Sequence, residues 1–477
     1  MIVLLIISLI LVGATANAQD AEEQSDDLDH PYYYCPQEFR ELDFNSNLDK
    51  WSWRRSRESE HFICFWEQGF GDDPNDPSVE EALRVDVDDL LRKAETFWHT
   101  NVQRVKMVEL GNGKSQLERY KLQIYLLYTH KWVATGAGYD DVIGALWVSP
   151  STCKPVGSVI AHEIGHSFQY QVYCDQRLSR NATPGKSGFR YGYKNSHGGN
   201  GFWEQCAQWV AFEDYPMQTT LDWQAADWPK NSNLAFEHEL TRYQSYWLQR
   251  FWTKKHGVDV IGRIWRESVY PEGALQTYAR IFCDNDPNLL NDELYQYAVS
   301  MATRDLLPEG APNFPEEFQA TCYNLDDNWR QIAYASCPGA GGFNVIPIEN
   351  AAGKRIILQF QGLDADAKLA PDDPGEFRFF NPQKDAIEMR GKLETYNQRP
   401  EAPGWRYGLV ATLPDGKTIQ SKTLADVAGQ IVFDVPQNAK AVYFVVLGAP
   451  SKVLANPWDD DESTDYQAPY KYRVTIQ

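Results

Sequence analysis

Apolar residues recur at helical spacing at Val87, Leu90, Leu91, Ala94, Phe97 and Trp98, which predicts an amphipathic helix. Residues 62–66 form a short apolar run, and Leu122, Ile124 and Leu126 alternate across 120–128 as a half-buried strand should. Gly136-Ala137-Gly138 reads as a turn. Residues 143–148 read as a further strand, which feeds through Ser149-Pro150-Ser151 into a helical run with Val159, Ile160, Ile164 and Phe168 on its apolar face. A loop-like stretch covers 175–200, and helices are expected over 240–254 and 259–265. From residue 341 the pattern changes to short alternating strands at 343–348, 355–361, 405–413, 430–435, 441–447 and 470–476. Pro414-Asp415-Gly416-Lys417 gives a hairpin turn signal among them. The expected class is α+β, a mixed helix-and-strand part followed by a β-sandwich of roughly 135 residues. No internal repeat is visible.

The helical run at 158–178 carries His162-Glu163-Ile164-Gly165-His166. Two histidines four apart lie one turn above the other on one helix face, so both imidazoles can reach one ion. Neutral imidazole is a preferred zinc ligand. Glu163, one step round, is placed to take a proton from a water on that metal. Without a metal, the pair is surface decoration on an amphipathic helix. Gly165 costs about 1 kcal/mol against Ala in a helix, which points to close packing with a neighbouring element. Continuing the short metzincin pattern would need Gly at 169 and His at 172; Gln169 and Val172 exclude that subclass. Downstream, residues 201–212 form a second helix-like run in which Glu204 sits among Phe202, Trp203, Cys206, Ala207, Trp209 and Val210. A carboxylate in such company is rarely left unpaired. Small Ala207, about one turn on, would let this helix approach the first.

With these two helices the chain resembles the gluzincin zinc metallopeptidases over roughly residues 60–270, most closely at His162, Glu163, His166 and the Trp203-Glu204 run. The resemblance implies a zincin-like domain with a mixed-sheet upper lobe and a helical lower lobe. It implies zinc held by His162, His166 and Glu204, with Glu163 as general base. One turn after Glu204, where gluzincins often carry an acidic residue, stands Gln208. Its carbonyl can still hydrogen-bond an imidazole N–H, but it adds no charge. Glu213 or Asp214 remains an alternative third ligand. The resemblance also implies a donor to the transition-state oxyanion, with Tyr246 and His197 as the leading candidates beside Tyr243 and His238. It makes Ala145, Leu146, Trp147 and Val148 the cleft wall that would pair with an extended peptide.

Compartment and charge narrow the partners. An apolar run over residues 2–12 followed by Ala16-x-Ala18 reads as a signal peptide of residues 1–18. An acidic, tyrosine-rich segment follows over 19–58, then the zincin-like domain over 59–340 and the sandwich over 341–477. No stretch is long and apolar enough to span a bilayer, so an exported, soluble protein is expected. The net charge of −21 argues against nucleic acid, whose phosphates are held by basic surface. The eight cysteines fit an oxidising compartment, and a disulfide involving Cys153, Cys174 or Cys206 could pin the site. Asn181-Ala182-Thr183 is a glycosylation sequon in a eukaryotic host. Asp459-Asp460-Asp461-Glu462 is a candidate structural calcium site, with a solvated acidic loop as its alternative. The partner expected is a protein or peptide substrate, with a glycan as a further candidate for the C-terminal domain. Two rival readings stay open, a zinc hydrolase of peptidoglycan or glycopeptide and a non-catalytic binding protein on a zincin scaffold.

Overall fold

The computed structural model describes residues 30–178, 188–189, 201–216, 228–238, 241–307, 318, 320–364, 367, 369, 402–454 and 467–477, and the strand backbones 377–381 and 386–390. The fold is α+β, with several sheets, and packs as two compact units. The first comprises residues 1–190, 206–216 and 252–271, and the second residues 191–205, 217–251 and 272–477. By packing, the second unit reaches back past the expected boundary at residue 341. Among the described residues no helix is long and apolar enough to cross a membrane.

The first unit is built on a five-stranded sheet. Its strands are β1 (Ser56–Glu58), β2 (Phe62–Trp66), β3 (Leu122–Leu126), β4 (Ala134–Tyr139) and β5 (Ile143–Val148), in the order β1-β2-β3-β5-β4. β2, β3 and β5 run parallel, while β1 and β4 are antiparallel edge strands. All five residues of β3 are buried because both faces of the sheet are covered. Alternation sends Leu122, Ile124 and Leu146 to the face on which α1 (Val87–His99) and α2 (Ser158–Leu178) pack. Tyr125 and Trp147 point the other way and stack at 6.0 Å. Over them lies the segment after residue 30, whose Tyr33, Phe39 and Trp51 make ring contacts with Phe65, Tyr125 and Tyr139. Asp86 caps α1 by accepting from the Asp89 N–H at 3.0 Å.

Gly136-Ala137-Gly138 does not turn the chain; it is the middle of edge strand β4. The glycines are there for proximity. A Cβ on Gly136 would lie 2.0 Å from the Glu163 carbonyl oxygen, and one on Gly138 would lie 2.2 Å from the Tyr170 ring. Only a strand without side chains at these positions can lie so close to α2.

Helix α3 (Gly201–Asp214) starts within the second unit's residues and continues into the first's. Next come α4 (Trp247–His256) and α5 (Val260–Glu267), the latter belonging to the first unit, where a Cβ on Gly262 would meet the Val105 carbonyl at 2.1 Å. α6 (Ala274–Phe282) and α7 (Pro287–Ala302) belong to the second unit.

Among the described residues the second unit holds two larger antiparallel sheets and a separate two-stranded one. The first strands are β6 (Cys322–Asn324), β7 (Arg330–Ile332), β8 (Phe343–Pro347) and β9 (Arg355–Gly362), and a hairpin of β10 (Phe377–Asn381) and β11 (Ala386–Arg390) follows. Then come β12 (Trp405–Thr412), β13 (Thr418–Gln420), β14 (Ala428–Asp434), β15 (Ala441–Gly448) and β16 (Tyr470–Ile476). The orders are β13-β12-β15-β8 and β14-β9-β16-β7-β6. Ile356, Leu358 and Phe360 of β9 share one apolar core with Tyr407 and Leu409 of β12 and Phe444 and Val446 of β15, so the two sheets enclose it. The outer face of the four-stranded sheet is covered by α7, where Arg406, 8 % exposed, pairs with Asp292 at 2.7 Å. Gly416, at φ 79°, makes the hairpin between β12 and β13, as its Asp-Gly signal leads one to expect.

Candidate metal centre

α2 is one continuous helix across the motif, with His162, Glu163 and His166 all buried. The two imidazoles lie at 4.6 Å between ring centroids and almost perpendicular. α3 comes close because Gly165 lets it. A Cβ there would lie 2.8 Å from Val210 Cγ1 and 3.4 Å from the Ala207 Cα. One turn of α3 then separates Gln208 from Glu204. Ligand atoms of His162, His166 and Glu204 all lie within 4.8 Å of one another, and all three residues are buried.

The imidazoles are held by amide carbonyls. His162 Nδ1 is 3.0 Å from Gln208 Oε1, and His166 Nδ1 is 2.8 Å from Gln169 Oε1. A carbonyl oxygen can only accept, so each Nδ1 donates, and Nε2 is the ring nitrogen turned to the triad for a metal. His162, His166 and Glu204 are the residues that would hold a metal ion there. Two imidazoles, one carboxylate and amide partners on both Nδ1 atoms suit a divalent zinc ion.

The motif helix is fixed to the sheet around this point. Ser167 Oγ donates to the Ala145 carbonyl at 2.9 Å, and the Gly144 N–H donates to Gln171 Oε1 at 3.0 Å. Further along α2, the Asp175 carboxylate accepts from Gln171 Nε2 at 2.8 Å and from the Gln116 N–H at 3.2 Å. Burial pushes its carboxyl up to about 7.

The cleft-wall assignment needs correction. Ala145, Leu146, Trp147 and Val148 belong to β5, which is hydrogen-bonded to β3 on one side and β4 on the other. No backbone edge is left for a peptide, and Trp147 points away from α2. The edge beside the histidines is β4, where Gly136 abuts both Glu163 and His166.

The remaining expected residues fall in different places. Tyr246 is fully buried in the second unit, its ring 5.1 Å from that of Trp247. Tyr243 is half-buried with the Arg242 guanidinium 4.9 Å from its ring. His238 is buried, and desolvation drives its pKa down to about 4. His197, the sequon at Asn181, the acidic run 459–462 and residues 1–18 lie outside the described residues. Glu213 and Asp214 are engaged by Arg104 and Thr100, at 3.0 and 2.7 Å, and are not part of the triad. Among the described residues no two cysteines are joined in a disulfide, at the site or elsewhere. Helix packing at Gly165 and Ala207 brings α2 and α3 together. Cys153, close to the start of α2, is buried with its thiol pushed up to about 12.

Sequence reasoning missed Gln169 and β4. Gln169 stands three residues after His166, on the same side of the helix, and that spacing was the available signal. Comparison with known sequences finds one family model, described as "Family of unknown function (DUF6055)", matching residues 26–476. No curated protein and no solved structure matches the chain.

Proposed function

The chain belongs to DUF6055, a family of unknown function, and on that footing we propose that it is a secreted, zinc-dependent metallopeptidase of gluzincin type. In this reading the first unit is the core of a zincin-like catalytic domain, and the paired sheets after residue 320 form a C-terminal β-sandwich. One observation carries it, the buried triad of His162, His166 and Glu204 with ligand atoms within 4.8 Å of one another. The Nδ1 contacts to Gln208 and Gln169 add support, because they orient both histidines for a metal.

A zinc ion held by His162, His166 and Glu204 would supply a Lewis acid and make a nearby water more acidic. Glu163, next to His162 on the helix, accepts a proton from the attacking water and passes it to the leaving amine. Gln208 and Gln169 keep the imidazoles in the ligating tautomer but, being neutral, add no negative charge behind them. The substrate backbone pairs with the outer edge of β4, not with β5. That edge suits an extended peptide better than a glycan, since it offers alternating N–H and C=O groups.

The test is hydrolysis of a proteome-derived peptide library by the zinc-loaded protein. The parent should cleave, and Glu163→Ala should keep its metal and lose cleavage. Undiminished cleavage by Glu163→Ala would remove the general-base assignment. Cleavage of peptidoglycan fragments but of no peptide would replace the substrate class.

A further inference from the structure

The two larger sheets of the second unit differ in what lies outside them. The four-stranded sheet has α7 on its outer face, and seven of the eight β12 residues are buried. In the five-stranded sheet β9 alternates buried with half-buried residues, and Gln430, Val432 and Asp434 of β14 are exposed. Among the described residues, its outward positions on these two strands are half-buried or exposed.

Register and alternation give the composition of that outward face. Lys471 lies opposite Gln361, and Arg473 lies opposite Gln359, which in turn faces Gln430. The half-buried Trp329 ring sits against both cations, 5.0 Å from Lys471 Nζ and 5.3 Å from the Arg473 guanidinium carbon. Gln359 Oε1 accepts from Arg473 Nε at 2.7 Å, and the Asp327 carbonyl accepts from Nη1 at 3.3 Å. The guanidinium is therefore held in place, with N–H groups to spare for an outside acceptor. The outward strand positions carry one carboxylate, Asp434, and Arg355 neutralises it at 2.7 Å. The turn ahead of Trp329 carries Asp326 and Asp327, which bound the cationic stretch on that side.

In a chain of net charge −21, a face that sets Lys471 and a hydrogen-bonded Arg473 beside the Trp329 ring and the amides of Gln359, Gln361 and Gln430 is a local reversal of sign. Protein interfaces centre on buried apolar anchors, and among the described residues the apolar side chains of this face, Val432, Ile357 and Tyr323, are scattered over three strands. Amides match hydroxyl groups as donor and acceptor, the cations match carboxylate or sulfate, and the indole provides a partly exposed ring surface. Strands about 4.8 Å apart present these groups in parallel rows, which suits a flat, repeating chain. We propose that the outer face of the five-stranded sheet binds an acidic polysaccharide through Lys471, Arg473, Trp329 and the flanking glutamines. The proposal is independent of the metal site.

The test is affinity electrophoresis of the full chain in gels containing polygalacturonate, heparin or neutral dextran. At least one acidic polymer should retard the protein, with dextran leaving it unaffected. Which acid retards it more separates carboxylate from sulfate recognition. Lys471→Gln/Arg473→Gln should weaken retardation at least tenfold at an unchanged melting temperature. Should that double variant unfold, Lys471→Gln alone serves, with a several-fold loss expected. Lys114→Gln/Lys417→Gln removes two exposed cations elsewhere and should leave retardation intact. No retardation by either acid, equal retardation by dextran, or equal loss in both double variants would overturn the proposal.

Discussion

Asp175→Asn should change how stability depends on pH, and the size of the change follows from where Asp175 sits. The carboxylate is buried beside the loop at Ser115–Gln116, and desolvation raises its pKa from 3.8 to about 7 in the folded protein. A raised carboxyl pKa means that the folded state holds its proton over a range where the unfolded chain has released it. Below 3.8 both states are protonated and there is no difference. Between 3.8 and about 7 the folded state loses stability as pH rises, by about 1.4 kcal/mol per pH unit. Above that window the full deficit, about 4 kcal/mol, is present. Asparagine keeps one carbonyl acceptor for the Gln116 and Gln171 donors and has nothing to ionise, so the deficit disappears. It also places an amide NH₂ in a buried spot, at a pH-independent cost of about 1–3 kcal/mol. The informative quantity is therefore the variant-minus-parent difference as a function of pH. His238, held down near 4 by burial, destabilises the fold as pH falls below 6.5, but it does so equally in parent and variant. Urea unfolding followed by tryptophan fluorescence at pH 4 to 8.5 measures the difference. It should rise in favour of the variant by roughly 3–4 kcal/mol across that range. A difference that stays flat would refute the burial-driven shift and the packing inferred around Asp175.

Other perturbations test the packing that builds the site. Gly136→Ala puts a Cβ 2.0 Å from the Glu163 carbonyl, so β4 must move off α2; a loss of about 1–3 kcal/mol and weaker zinc binding are expected by thermal melting and chelator competition. Gly165→Val should separate α2 from α3 and lower both melting temperature and zinc affinity together, because Val210 and Ala207 leave no room. Gln208→Leu or Gln169→Leu should each reduce zinc affinity by about 10–100-fold, measured with a fluorescent chelator, while the fold persists. Unchanged affinity in both glutamine variants would remove their orienting role.

Much of the site was legible because its signals are local or compositional. His162 and His166 declare themselves by spacing on a helix, and Glu204 by being acidic inside an apolar run. Gln208 followed from counting one turn onward. Strands β2, β3, β5, β9, β12, β15 and β16 were legible from apolar runs and alternation. What escaped depends on contacts between segments distant in sequence. The glycines of β4 look like a turn in isolation, and only the nearness of α2 explains them as strand residues. β5 looks like a cleft wall until β4 covers its second edge. Gln169 was noted only for the motif it breaks, because its partner is a histidine ring nitrogen whose orientation no spacing rule gives. The disulfide expectation rested on compartment and cysteine count, which name no partner, and the structure buries most of the cysteines.

The central claim is that His162, His166 and Glu204 hold a zinc ion. Elemental mass spectrometry should measure zinc per chain on the parent and on Glu204→Ala, both purified without chelator and then offered zinc. About one zinc per chain in the parent and far less in the variant is the expected result for a three-ligand site. Little zinc in either protein would contradict the claim and leave the histidine pair as buried helix residues without a metal.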